Sequence, residues 1–129
     1  VIEPRPDVVV MEFVNDAWMT PPVVEEKYSR LLDRFQAAGI EWVILTPHFV
    51  RPDWMDASSV RVETDPRPYV EGLRRFAAAH NVALADAALR WGPLLKEGIP
   101  YVTLLSNGIN HPDDRGHEIF AQALIALFR

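Results

Sequence analysis

His111 stands in a polar stretch, Ser106-Asn107-Gly108-Ile109-Asn110-His111-Pro112-Asp113-Asp114-Arg115-Gly116-His117, just ahead of an apolar-periodic segment. Asn15-Asp16 follows the apolar run Val8-Val9-Val10-Met11-Glu12-Phe13. Imidazole titrates near neutrality without help, so His111 is a candidate general base. The side-chain NH2 of Asn15 is an uncharged donor that can be aimed at developing negative charge, as an oxyanion site requires. Together they make half of an acyl-transfer site; the other half, a nucleophile, is not visible. Plainer readings stand beside these. Asn15-Asp16 also suits a turn that caps a helix, and a histidine next to a proline at a helix entrance also suits a solvated or capping role.

The other histidines divide by position. His117 falls in the first turn of the last helix and reads as structural, and His80, near a helix end, is placed to meet unpaired carbonyls. His48 either lines the site or packs under a long loop. A metal reading would use His48, His111, His117 and Asp113 or Asp114, but no HExxH or other ligand pair at fixed helical spacing supports it. Trp18, Trp42, Trp54 and Trp91 are scattered and not set among basic residues, so they read as core or lid residues, not as a base-stacking platform.

These groups must be carried by a short series of elements. Val8 to Phe13 is near-continuously apolar, which suits a strand buried on both faces. Thr20-Pro21-Pro22 opens a helix from about Val23 to Ala38, with Tyr28, Leu31, Leu32 and Phe35 at helical spacing and Gly39 as its stop. Trp42 to Thr46 is a second buried strand, ended by Pro47. The connection from His48 to Pro68 is long and rich in proline and aspartate, the character of a functional lid. Val70, Leu73, Phe76 and Ala77 mark a helix closing near Asn81. Val82 to Ala85 is a third strand, Asp86 opens a helical stretch toward Leu95, and Asp113 or Asp114 caps a last helix bearing Ile119, Phe120, Ala123, Leu124 and Leu127. Strand and helix alternate, which predicts parallel strands with right-handed crossovers and a three-layer α/β arrangement. Ligands in such sheets bind beyond the carboxyl ends of the strands, where Asn15-Asp16, His48, Asp86 and the His111 loop would converge.

With 129 residues, 49% of them apolar, the chain is sized for one domain, residues 1–129. A net charge of −5 gives no general basic footprint for nucleic acid. The absence of cysteine excludes disulfides, thiolate nucleophiles and cysteine-ligated zinc. No apolar run reaches the roughly 20 residues of a membrane span. The compartment is left open.

At the Asn15 and His111 stretches the chain resembles the SGNH/GDSL hydrolase superfamily, serine esterases and acylhydrolases on a flavodoxin-like α/β fold. Phe13-Val14-Asn15-Asp16 resembles the family's Gly-x-Asn-Asp block, with phenylalanine for glycine. Asn107-Gly108-Ile109-Asn110-His111-Pro112 resembles its last block in the variant Asp-Gly-Ile-Asn-His-Pro. The resemblance implies that Asn15 donates to an oxyanion, that His111 is the base, that the substrate is a small ester, and that no cofactor is needed.

Two departures accompany it. The family's nucleophile is the serine of Gly-Asp-Ser, several tens of residues ahead of the Asn-Asp block, whereas fourteen residues precede Asn15. Ser29, Ser58, Ser59 and Ser106 are not in a tight Gly-flanked turn after a strand, and the glycine-bearing second block is missing. The second departure is Asn107 where the variant carries aspartate. An amide oxygen can orient an imidazole but cannot stabilise the imidazolium with a full charge; in chymotrypsin-type enzymes that exchange lowers kcat about 10⁴-fold. The expectation is therefore the C-terminal portion of a larger SGNH domain, holding the last three of five strands, with the serine outside this chain. The Val8 to Phe13 strand would then present an unpaired edge, to be met by a second copy or by a companion polypeptide. Trp54 and Met55, in the long loop, would be apolar contacts for substrate. The alternative is a noncatalytic binding or assembly module on the same fold. A flavin or nucleotide binder lacks its Gly-rich phosphate loop.

Overall fold

Three parallel strands, β1 (Val8–Met11), β2 (Glu41–Leu45) and β3 (Ala83–Ala85), form a sheet in the order β1-β2-β3. The structure, a computed structural model, describes residues 3–55 and 62–129. Among these residues four α-helices complete the fold: α1 (Pro21–Ala37), α2 (Pro68–His80), α3 (Ala88–Lys96) and α4 (Asp114–Ile125).

Helix boundaries follow local chemistry. Pro21 and Pro22 open α1 where the N–H that proline lacks would be unpaired anyway. At its end Gly39 adopts φ +69°, and the Ile40 amide reaches back to the Phe35 carbonyl. α2 closes in the same way, with Asn81 at φ 54° and the Val82 amide bonded to Ala77. Both helices therefore hand the chain directly to a strand.

The side chains of β2 sort the layers. Trp42 and Ile44 pack with Val24, Tyr28 and Phe35 of α1 and with Tyr69, Leu73 and Phe76 of α2. Val43 and Leu45 point the other way, onto Phe120 and Ala123 of α4. The result is the expected three-layer α/β arrangement, with helices on both faces of a parallel sheet. A further cluster, Phe49, Val50, Met55, Trp91, Tyr101, Leu104 and Leu105, fills the carboxyl end beneath the loops.

β1 departs from the expectation of burial on both faces. It ends at Met11, and residues Val14–Asp16 form a 3-10 turn. Val9 and Met11 pack toward α1 and α2, but Val8 and Val10 are 45% and 48% exposed. The reason is that α4 packs on the Val43, Leu45 and Ala85 face of β2 and β3, and among the described residues no helix covers the same face of β1.

The loop after β2 also differs from a free lid. Pro47, His48, Phe49, Val50, Met55, Asp65 and Arg67 within it are buried, so its described parts are core. Met55 is only 7% exposed and accepts a contact from the Val50 amide through sulfur, so it packs inward instead of facing substrate. Trp42 and Trp91 are core residues, while Trp18 and Trp54 are exposed, with Lys27 and Arg51 lying over their rings. Ser58 and Ser59 lie outside the described residues.

Candidate active site

The His111 loop is built by one side chain. Asn107 Oδ1 accepts from the amides of Ile109 and Asn110, each at 2.9 Å, and of His111 at 3.1 Å, while Asn107 Nδ2 donates to Asn110 Oδ1 at 3.1 Å. Gly108 sits at φ +64°, the left-handed conformation that this tight winding needs. Ser106 closes the loop, its amide and hydroxyl both donating to the His111 carbonyl at 2.7 and 3.0 Å. Asp113 then caps α4, accepting from the Gly116 amide at 2.9 Å. The capping bond to Gly116, and after it Arg115, hold the Asp113 carboxyl below its ordinary range.

The segment after β2 meets this loop twice. His48 Nε2 lies 2.9 Å from the Asn110 carbonyl, and the Arg51 amide donates to the Ile109 carbonyl at 2.8 Å. His48 is 2% exposed, between Trp91 and the edge of Phe120. Burial lowers its pKa from 6.5 to about 4, and the charges of Arg67, His117 and His111 push the same way, partly offset by the bond to Asn110. The sequence left His48 between lining the site and packing under the loop; it is buried and holds the loop.

His111 is exposed, and its ring makes no hydrogen bond among the described residues. Asn107 reaches His111 through the main chain, not through the ring. Asn15 is exposed on its 3-10 turn, and its neighbour Val14 packs on the Phe49–Leu105 cluster that also underlies the His111 loop. Both stretches thus rest on one apolar base at the carboxyl end of the sheet, with no hydrogen bond joining Asn15 to His111. His80 differs from expectation: it pairs with Glu25 of α1 at 2.6 Å instead of capping carbonyls. Ser29 contacts Glu25 on the exposed face of α1, far from His111 in both sequence and element. Among the described residues no three histidine or acidic side chains converge as a metal-ligand group. A cavity of about 300 Å³ beside Leu32, Trp42, His80 and Ala83, and another of about 400 Å³ beside Arg90, Glu118 and Arg129, lie away from this loop.

Sequence reasoning missed the charges beneath the site. Arg67 is gripped by Asp65 through Nε at 2.8 Å and Nη2 at 2.6 Å, with both side chains buried. The same Nη2 donates to the Pro47 and His48 carbonyls at 3.3 and 3.1 Å. Glu12, one residue beyond β1, has Oε1 buried without a hydrogen-bond partner among the described residues. Burial raises its pKa from 4.5 to about 7, against the opposing pull of Arg67. Asp65-Pro66-Arg67-Pro68 carried the signal, an acid and a base two apart and stiffened by prolines. At the end of β2, Thr46 donates to Asp86 at 3.0 Å and accepts from the Ala88 amide at 2.9 Å, and Arg74 secures Asp86 at 2.7 Å. Asp86 is therefore tied up in structure.

A parallel sheet between helical layers, with a polar histidine loop at its carboxyl edge, defines a three-layer α/β protein. The chain belongs to the GDSL-like lipase/acylhydrolase family, whose model matches residues 1–119. Among solved structures it is similar to an alpha/beta hydrolase enzyme from the metagenome of Lake Arreo, Spain, with 26% identity and a TM-score of 0.71 over 98% of this chain and 61% of that one. It is also similar to a catalytic mutant of an acetylxylan esterase from Geobacillus stearothermophilus, with 21% identity and a TM-score of 0.74 over 98% and 61%. An acetyl xylan esterase, AlAXEase, gives 22% identity and a TM-score of 0.75 over 100% and 70%. The chain thus spans 61% of the length of the first two proteins. Curated proteins give no significant match.

Proposed function

We propose that this chain is the C-terminal portion of an SGNH/GDSL-type serine ester hydrolase acting on small O-acyl esters through an acyl-enzyme. In this reading the nucleophilic serine lies outside the 129 residues. His111 takes the serine proton as it attacks the ester carbonyl and returns it to the leaving alkoxide. Asn15 donates its side-chain N–H to the tetrahedral oxyanion. Asn107 sets His111 through the loop backbone. The observation that carries the reading is the His111 loop, wound on Asn107 and fastened to the segment after β2, in a chain of an acylhydrolase family. Two of the similar structures are named as acetylxylan esterases, so an O-acetyl sugar is the first ester to try.

The exposed Val8 and Val10 support a partner at the β1 edge, either a second copy or the polypeptide that brings the serine. The experiment is native and denaturing mass analysis of the purified protein with a fluorophosphonate probe. Labelling of a serine outside these residues, lost in His111→Ala, is expected. A single unlabelled species of 14.7 kDa or its homo-oligomer would mean that this chain is not a serine hydrolase in its present form and would put the binding module first. The second reading, a noncatalytic binding or assembly module, draws on one observation: Asn107 Oδ1 is occupied by three amides and does not orient the His111 ring.

A further inference from the structure

The peptide unit joining Asn110 to His111 is held from both sides. Its carbonyl oxygen meets His48 Nε2 at 2.9 Å, and its N–H meets Asn107 Oδ1 at 3.1 Å. A peptide is planar, so bonding both ends fixes the plane and, with it, the direction in which His111 leaves the backbone. A carbonyl only accepts, so His48 must carry its proton on Nε2. Nδ1 is then a bare acceptor, in keeping with its burial without a hydrogen-bond partner among the described residues. The ring is walled by Trp91 and Phe120. Its own main chain is clamped by Arg67, whose guanidinium binds the His48 carbonyl and is fixed in turn by Asp65. A rigid donor is therefore aimed at the backbone of the loop that carries the exposed histidine.

We infer that His48 is a positioning residue for His111, acting through the Asn110 carbonyl. The inference rests on the reading of His111 as general base only for its effect on turnover; the backbone constraint stands apart from it. A misplaced base loses rate with little effect on binding, so kcat should fall while KM holds.

The test compares His48→Phe, which fills the pocket without a donor, with His48→Gln, which restores a side-chain N–H, both in the full-length protein. Amide hydrogen exchange at His111 should quicken about 10-fold or more in His48→Phe, while exchange at Val43–Leu45 of β2 is unchanged. With 4-nitrophenyl acetate, kcat should drop roughly 10- to 100-fold and KM should stay within about twofold. His48→Gln should recover most of both effects. Unchanged exchange at His111 in a folded His48→Phe, or failure of glutamine to slow it, overturns the inference. The wild-type ring nitrogens give a check that needs no variant, since a proton found on Nδ1 also overturns it. If wild-type protein turns over no ester, the acylhydrolase reading falls, and the exchange data alone decide whether His48 holds the loop.

Discussion

Asn107 grips His111 by its backbone: Oδ1 accepts the His111 amide at 3.1 Å while also taking the amides of Ile109 and Asn110. A carboxylate in its place would keep all three bonds, made stronger by charge. It would lose the Nδ2 donor to Asn110 Oδ1, which a rotation of the Asn110 amide can restore. Asparagine and aspartate therefore differ at this position in charge more than in loop geometry.

Asn107→Asp should leave the melting temperature within a few degrees of wild type and the loop amides protected. In the full-length protein it should raise ester turnover if His111 is a working base, and leave an inert protein inert if the chain is a binding module. Asn107→Ala removes three acceptors at once and should cost about 1–2 kcal/mol in urea unfolding, moderated by the exposure of the loop.

His48 and Glu12 predict opposite responses to acid. His48 has its pKa lowered from 6.5 to about 4, so its contribution is complete above pH 6.5 and is lost as pH falls toward 4. Glu12 has its pKa raised from 4.5 to about 7, so its contribution is complete below pH 4.5 and is lost as pH rises toward 7. Each is worth up to about 3 kcal/mol, less for Glu12 because it is partly exposed. The two nearly cancel, and the wild type should show a shallow profile between pH 4.5 and 6.5. Melting of Glu12→Gln across that range should reveal stability that falls with acid, and His48→Gln stability that rises with acid.

Gly92 and Gly116 should reject alanine for steric reasons. A Cβ on Gly92 would lie 2.5 Å from the Glu63 Cα and 2.6 Å from its carbonyl oxygen. One on Gly116 would lie 2.8 Å from the Leu104 oxygen and 2.8 Å from Pro112 Cβ. Backbone must move in both, at about 1–3 kcal/mol each. Gly116→Ala should also disturb the His111 loop, since the Leu105–Pro112 bridge frames its base. Thermal melting measures the first effect, and amide exchange at Asn110 and His111 the second.

The fold was legible where chemistry is local. Proline at a helix start, Gly39 and Asn81 at helix ends and the short apolar run of β2 fix their elements almost without reference to the rest. The candidate site was legible only in part. His111, Asn107 and Asn15 could be named from their types and spacing, but the roles of His48 and Arg67 depend on contacts with residues 62 and 19 or 20 positions away. Met55 misled because an apolar residue in a proline-rich loop gives no sign of whether it faces inward. The exposure of Val8 and Val10 was also hidden, since the sequence of a strand does not state which neighbours cover it.

β1 carries the last prediction. Among the described residues it bonds to β2 on one side only, and its exposed face bears Val8 and Val10. An unpaired apolar edge is a template for another strand, and natural edges are commonly protected by lysine. The 129-residue chain should therefore self-associate in sedimentation velocity, in a manner that rises with concentration. Val8→Lys combined with Val10→Lys should shift it to monomer, because two charges on that face make strand addition unfavourable while Val9 and Met11 still anchor β1 to the core. A wild-type chain that stays monomeric at about 100 μM, a concentration at which weak edge pairing would show, would mean that the β1 edge does not recruit a second copy. A companion polypeptide bearing the serine would then be the remaining partner for that edge.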